Sequence, residues 1–480
     1  MKPESPAPQQ GAGDHHFYYD SIIPLRQRGG ETVLNEKNFY KLHAKLCDTY
    51  DIAQPELYIK YDVKKGLRDK DGKGVVTGLT HISRVDGFET VNGERRPIEG
   101  KLAYRGIDIK DLIDGHKGER YAFEEAAYLL LFGELPTEED LKNSIEILVK
   151  KRELPTTFLR GVILKAHSQD VMNSMTRSVL SLGSYDEKAD NNEIVNVLRQ
   201  TVELITVMPM LAVYGYHAYQ YYDQKKDLII HRPDPNLSIA ENILMMLRPD
   251  GKFTELEARV LDTALVLHME HGGGNNSTFT TRVVTSAGSD TYAVISAALS
   301  SLKGPKHGGA NIKVVKMIKD IKANVKDIND EAEVTAYLEK ILDKKVFDKA
   351  GLIYGMGHAV YSLSDPRAKI LKEFAQKLAK EKGREKDLKL YDIIERRSPA
   401  LIETKKHSFT GVSANVDLYS GFVYDMLGIP EEMFTPMFAI ARTVGWCAHR
   451  IEELVNGGKI IRPAYISVAT EKEYVPIEKR

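Results

Sequence analysis

Cysteine is nearly missing from this chain of 480 residues: only Cys47 and Cys447 are present, far apart in sequence. They form no C-x-x-C pair and are too few for a disulfide framework, so a reducing compartment, the cytoplasm, is expected. Long apolar runs are missing as well. Purely apolar stretches such as Ala126 to Phe132 end after about seven residues, whereas roughly 20 are needed to cross a bilayer. Residues 1–20 hold no extended apolar core and one early lysine, which matches neither a secretory signal nor an arginine-rich transit peptide; a mobile tail is expected there. Net charge is close to absent too, with 67 Lys+Arg against 68 Asp+Glu for −1 overall. That excludes the global basicity that steers proteins onto nucleic acid or an anionic membrane, and any anionic ligand must be held by local clusters.

What is present is the composition of a globular protein: 42% hydrophobic and 28% charged residues. At ~100–200 residues per domain, two or three domains and a large core are expected. No period of about 20 to 50 residues repeats, which argues against a solenoid. From Gly72 to Ile109 the chain is rich in Gly, Thr and Val, and Asn92-Gly93, a strong hairpin signal, lies between GFETV and RRPIEG; a small β segment is predicted. Helical periodicity dominates beyond it. Thr137 and Asp140 form the pattern of a capping box ahead of Leu141, Ile145 and Leu148 on one face. Residues 190–222 read as a helix that Pro209 should kink or split. Near the C-terminus, Thr435 is predicted as the N-cap before Pro436, with Gly457-Gly458 as the stop. Met437, Ile440, Ala441, Val444, Ala448 and Ile451 form this helix's buried stripe. Arg442 lies off the stripe, as either a solvated flank or a deliberately placed cation. Helices this apolar must pack on one another, which makes the fold mainly α.

Several glycine-rich places fail as nucleotide or metal motifs. The segment from Asp69 begins like a calcium loop, but Lys73 and Thr80 stand where ligands are needed. Gly355-Met-Gly357 lacks the third glycine of a dinucleotide fingerprint, and no P-loop pattern occurs. His268-Met-Glu-His271 matches none of the standard zinc arrangements, so no metal is expected. Three histidines nevertheless sit among glycines: HMEHGGGNNSTF at His271, KGPKHGGANIKV at His307 and GMGHAVYSLSDPRA at His358. Glycine weakens helices, so its repeated placement beside histidine suggests turns that present the imidazole to a ligand. A single histidine of this kind is more often structural, but three in one half shift the balance toward a site. Arg367, Asp417 in NVDLYSG, Arg442 in FAIARTVGW and Arg462 in KIIRPA complete a set of three bases, one carboxylate and three guanidiniums suited to carboxylates.

The ordered set GPKHGGAN, GMGHAVYSLSDPRA, NVDLYSG and ARTVGW resembles the citrate synthase family, with its 2-methylcitrate synthases, from about Gly100 to Pro463. The resemblance implies an almost entirely helical, two-domain subunit working as a homodimer, with the active site in the interdomain cleft. By position this gives an N-terminal tail and helical extension (1–71), the β segment (72–109), a large helical domain in two parts (110–307 and 422–480) and a small helical domain (308–421). It implies that Asp417 removes a methyl proton from acetyl-CoA. His307 would stabilise the enolate as a neutral donor, kept neutral by the helix that starts after it. His358 would donate to the keto oxygen of oxaloacetate, and His271 would hold that substrate. Arg367, Arg442 and the partner's Arg462 would grip its carboxylates, since guanidinium forks bind carboxylates bidentately.

Two departures from the family pattern concern coenzyme A. Ser362 stands where a basic residue often meets its phosphates, and Ala414 replaces a proline before the NVD. Lys405 and Lys406 match the family's basic pair and are candidates to compensate. No tightly bound cofactor is implied; acetyl-CoA is a co-substrate. The expected activity is condensation of acetyl-CoA with oxaloacetate and hydrolysis of citryl-CoA. The alternative within the family uses propionyl-CoA, and one methylene is worth only ~1–3 kcal/mol in a pocket. The alternative of a different class is a catalytically silent helical scaffold or metabolite-binding regulator, against which the complete residue set argues.

Overall fold

The computed structural model describes residues 36–69, 72–116, 120–406 and 411–479. The expected mobile tail lies outside these. The chain forms two compact units, Met1–Thr77 and Gly78–Arg480. In the first, described residues form the helices Glu36–Tyr50 and Pro55–Lys60, with Pro55 in the first turn, where its missing N–H is not needed.

The second unit opens with an antiparallel sheet of β1 (Ser83–Val91), β2 (Glu94–Tyr104) and β3 (Ile107–Asp108), in that order. Asn92 and Gly93 both adopt positive φ, 53° and 83°, as a tight hairpin turn requires. The β segment is shorter than the sequence predicts. Residues 72–79, interrupted by three glycines, are exposed and join no sheet. Beyond the sheet the unit is helical. Thr137 and Asp140 form the predicted capping box of the helix Glu138–Lys150.

The helix Ile194–Tyr222 runs unbroken through Pro209, so the expected split does not occur. Every residue from Leu204 to Gly215 is buried, and the helix as a whole packs on the helices Val171–Leu182 and Phe434–Val455, which outweighs one lost backbone hydrogen bond. Among the described residues it is the one helix long and apolar enough to cross a membrane, but 67% of its most apolar window is buried inside the protein.

The helix Phe434–Val455 corrects a second expectation. A turn of 3₁₀-helix, Glu431–Met433, precedes it, so Thr435 falls inside the first turn and does not cap it. Its hydroxyl donates instead to the carbonyl of Gly308, beside His307, at 3.0 Å. Gly457, at φ +57°, ends the helix after Asn456. Nearly every side chain from Phe434 to Arg450 is buried, and Arg442, at 1% exposure, is a placed cation.

In the second half, Ala310–Asn324 packs on Val416–Met426, Glu331–Leu342 on Glu385–Lys406, and Pro366–Lys382 on both Glu385–Lys406 and Val416–Met426. Pro366–Lys382 and Val416–Met426 also touch Glu255–Met269. These contacts gather the ends of several helices into one region.

Close approach at that region makes a stability prediction. A Cβ on Gly445 would lie 2.4 Å from Met269 O and 2.5 Å from Glu270 Oε2. A mid-helix Gly→Ala change normally gains about 1 kcal/mol. Here overpacking of about 1–3 kcal/mol opposes it, so Gly445→Ala should lower the thermal unfolding midpoint. A midpoint equal to or above that of the unaltered protein would show that the contact is soft.

Candidate active site

The first contributing segment follows the helix Glu255–Met269. The Tyr104 hydroxyl lies 2.8 Å from Val266 O and accepts from the Glu270 N–H at 3.2 Å. Beyond it, Asn275 Nδ2 donates to Gly272 O at 2.6 Å, while its Oδ1 caps the helix Asn276–Ser286 by accepting from the Thr278 N–H. His271 is thus held in a closed turn between two helix ends.

His307 lies in the turn before Ala310–Asn324. Its Nε2 accepts from the Ser277 N–H at 3.3 Å and lies 2.9 Å from Ser277 Oγ, to which Trp446 Nε1 donates at 3.1 Å. This leaves Nδ1 to carry the ring proton.

The loop 355–365 is stitched to the lead-in of Val416–Met426. The Gly357 N–H donates to Ser413 O at 2.7 Å and the Asn415 N–H to Gly355 O at 2.9 Å. Neither bond uses the N–H of Ala414, so alanine in the proline position loses neither of them. Gly355 is required: at φ +83° its Cβ would meet Leu418 Cα at 2.9 Å. His358 Nδ1 accepts from the N–H groups of Val360 and Tyr361, at 3.0 and 3.2 Å, so its proton is on Nε2. The ring stacks on Tyr361 at 4.8 Å. Asp365 caps Pro366–Lys382, receives a fork from Arg367 Nε and Nη2 at 3.0 and 2.8 Å, and accepts from the Val416 N–H at 3.2 Å. Asn415 in turn caps the helix that carries Asp417.

These elements bring six of the seven expected residues together. The rings of His271 and His358 are 5.2 Å apart, and His271 Nε2 lies 3.3 Å from the Tyr361 hydroxyl. The charge of Arg367 acts on His271, His358 and Asp417, and that of Arg442 on His271, His307 and Asp417. Burial, reinforced by the arginines, lowers His307 and His358 to about 4 and His271 well below its ordinary value. The histidines are therefore neutral donors at pH 7. For His307, burial and the charge of Arg442 act besides the expected effect of the helix that starts at Ala310. Burial raises Asp417 to about 6 against the pull of Arg367 and Arg442, which makes it a carboxylate basic enough to take a proton near neutrality.

The remaining expected residues lie elsewhere. Arg462 is exposed in the C-terminal stretch without helix or strand that follows Gly457, and its neighbour Ile461 donates through N–H to Ser286 Oγ at 3.0 Å. Lys405 is paired with Asp343, and the Lys406 side chain lies outside the described residues. Ser362 is 8% exposed, which suits packing and not phosphate contact. Sequence reasoning missed Tyr361, Asp365, Ser277 and Glu270. The first two lie inside the quoted GMGHAVYSLSDPRA, Asp365 directly before a proline and two residues before Arg367, the spacing of a helix cap.

A buried carboxylate raised toward neutrality, neutral imidazoles and buried guanidiniums in a mainly helical chain suit an enzyme that transfers protons and binds carboxylates. The chain belongs to the citrate synthase family, an acyltransferase family: residues 67–464 match the family model described as "Citrate synthase, C-terminal domain". It is 32% identical to the citrate synthase of Haloferax volcanii over 425 residues, 87% of this chain and 99% of that protein. It is also 32% identical to 2-methylcitrate synthase 2 of Corynebacterium glutamicum over 427 residues, 87% of this chain and 98% of that one. The solved ternary complex of Thermoplasma acidophilum citrate synthase with carboxymethyl coenzyme A and oxaloacetate is similar to it at TM-score 0.71 and 29% identity, over 87% of this chain and 99% of that one.

In its expected role as base Asp417 must be an anion, so activity should be half-maximal near about pH 6, level off well above it and fall about tenfold per pH unit below it. A pH–rate profile that stays flat down to about pH 5 would remove Asp417 as the base.

Proposed function

We propose that the chain condenses acetyl-CoA with oxaloacetate and hydrolyses the citryl-CoA formed, as a citrate synthase. The observation that carries this reading is one carboxylate raised to about 6 beside neutral imidazoles whose hydrogen-bond acceptor nitrogens are already occupied. Asp417 takes a methyl proton from acetyl-CoA. A carboxylate is too weak a base to do so unaided, and the Nδ1–H of His307 stabilises the enolate oxygen as charge develops. The Nε2–H of His358 polarises the keto carbonyl of oxaloacetate, and the enolate carbon attacks it. His271, Arg367 and Arg442 hold the carboxylates.

In this reading residues 308–421 form the small domain, which closes on a large domain of 110–307 and 422–480, in a cytoplasmic homodimer. Lys405 and Lys406 are the weakest part of the assignment, because Lys405 already has a carboxylate partner. Use of propionyl-CoA is the second reading, favoured by the similarity to a 2-methylcitrate synthase. Comparing kcat/KM for the two acyl-CoAs on one preparation separates them. General-base catalysis typically contributes ~10²–10⁴-fold, so Asp417→Asn should lose at least about two decades of turnover with oxaloacetate affinity little changed. Retention of more than about a tenth of the activity would sink the assignment.

Arg462 is exposed and joined to none of the other six residues, which supports its service to a partner's site. Subunit mixing tests this. Arg462→Ala and Asp417→Asn homodimers should both be nearly dead. In a mixed dimer, one site carries both lesions and the other carries none. Random re-association of equal amounts should restore about a quarter of the unaltered activity. An Asp417→Asn with His307→Ala mixture should stay dead. If the Arg462 mixture also stays dead despite demonstrated exchange, Arg462 acts within its own subunit or structurally, and the cross-subunit reading fails.

A further inference from the structure

Directly behind His271 lies a buried carboxylate that the proposed chemistry does not use. Glu270 is wholly buried. Its Oε1 accepts from the Gly272 N–H at 2.6 Å, from Ser83 Oγ at 2.8 Å and from His449 Nε2 at 3.0 Å. The carboxylate thus bridges over His271 to the residue after it, and Gly272, at φ +84°, closes the turn. The opposite oxygen, Oε2, is buried without a hydrogen bond and lies against Gly445, one turn beyond Arg442 on the same helix.

Arg442 is poorly provided for by comparison with Arg367. Its side chain makes one hydrogen bond among the described residues, from Nε to His268 O at 2.7 Å, and its guanidinium lies 4.6 Å from the centre of the Phe438 ring. Glu270, Tyr104, Arg367 and Asp417 are the main groups acting on it, and its charge is felt by the neutral rings of His268, His271 and His307. Arg367 repels it and already has Asp365 as its own partner. Burial lowers Arg442 to about 10, and Glu270 is the first of the anions that oppose this. Glu270 itself is held down at about 2, burial being overcome by His449, Arg442 and Ser83. One buried anion therefore touches the turn of one substrate-binding residue and balances the charge of another.

We infer that Glu270 is a positioning residue for the oxaloacetate half of the site, its carboxylate pinning the His271 turn to Ser83 and His449 while its unbonded oxygen lies against the helix of Arg442. The inference rests on the citrate synthase reading above. Hydrogen bonds to an ionised acceptor are roughly twice as strong as neutral ones, so an amide of the same shape should not replace the carboxylate. A role in packing alone would be satisfied by glutamine.

The test is steady-state kinetics of the full chain carrying Glu270→Gln, with each substrate varied in turn. A displacement of about 1 Å at a binding group costs up to about a hundredfold, and the expected result is a rise of at least about tenfold in KM for oxaloacetate, with KM for acetyl-CoA changed less than about threefold and the thermal midpoint nearly unmoved. An oxaloacetate KM within about twofold of the unaltered protein would overturn the inference, as would equal rises for both substrates. Should Glu270→Gln fail to fold, Ser83→Ala removes one donor to the same carboxylate from the start of β1. It should raise KM for oxaloacetate about threefold at constant kcat, and an unchanged KM overturns the inference equally. Absence of turnover in the unaltered protein with either acyl-CoA would bring down the citrate synthase reading and this inference with it. Turnover with an indifferent Glu270→Gln would bring down this inference alone.

Discussion

Two guanidinium groups, Arg367 and Arg442, are held almost entirely out of water, and most of the surrounding arrangement follows from the cost of keeping them there. Removing an ion from water costs several kcal/mol even after relaxation, and only close partners with good geometry offset it. Arg367 meets the requirement with a fork onto Asp365. That carboxylate is itself fixed, because it caps one helix and accepts from the backbone of the residue before Asp417. A single ion pair thereby ties the loop of His358 to the helix of Asp417. Arg442 is held by the carbonyl of His268 and by the field of Glu270, which ties the C-terminal helix to the turn of His271.

Burial, with these two charges acting after it, sets the protonation of the groups between them. A neutral imidazole is unusual in a cleft shaped for an anion, and it would be unstable beside a free carboxylate. Here burial and the neighbouring arginines both act against imidazolium, so the rings stay neutral and each keeps a single N–H to donate. Asp417 is affected oppositely. The arginines pull it down, burial and Asp365 push it up, and burial wins by enough to leave it near 6. Had the arginines lacked their own carboxylates, Asp417 would have been the nearest counter-ion and a poor base.

The fold class and the site were legible in the sequence to different depths and for different reasons. The Asn92-Gly93 turn and the Thr137 capping box depend on two or three adjacent residues, and both stand as predicted. The split at Pro209 and the cap at Thr435 did not form, because tertiary packing overrode a local rule. One helix is enclosed on both faces, and one hydroxyl found a partner 127 residues away. The histidines stood out through their glycines, but their reason for being neutral did not, since burial is a property of the whole fold. Asp365 and Glu270 were hidden in plain view beside residues already singled out. A carboxylate next to an arginine or histidine in sequence carries no signal until the fold shows that no water reaches it.

Charge balance gives the strongest physical reason to look beyond one chain. Arg367 is paired with Asp365, Glu270 acts on Arg442 without an ion pair between them, the histidines are neutral, and Asp417 in its proposed role as base adds one more negative charge. Oxaloacetate brings two. A dianion entering a site already net negative, in a cleft with little water, meets repulsion that the two resident guanidiniums, half spent on their partners, do not fully offset. Their forks still provide direction, since hydrogen-bond geometry survives where net charge does not. What the site lacks is an uncommitted cation. Arg462 is exposed, makes no ion pair among the described residues and sits on a stretch tethered through Ile461 to the helix that carries Ser277. In the proposed homodimer the exposed Arg462 guanidinium is the cation a partner would bring to this site, which is the reading the subunit-mixing experiment tests.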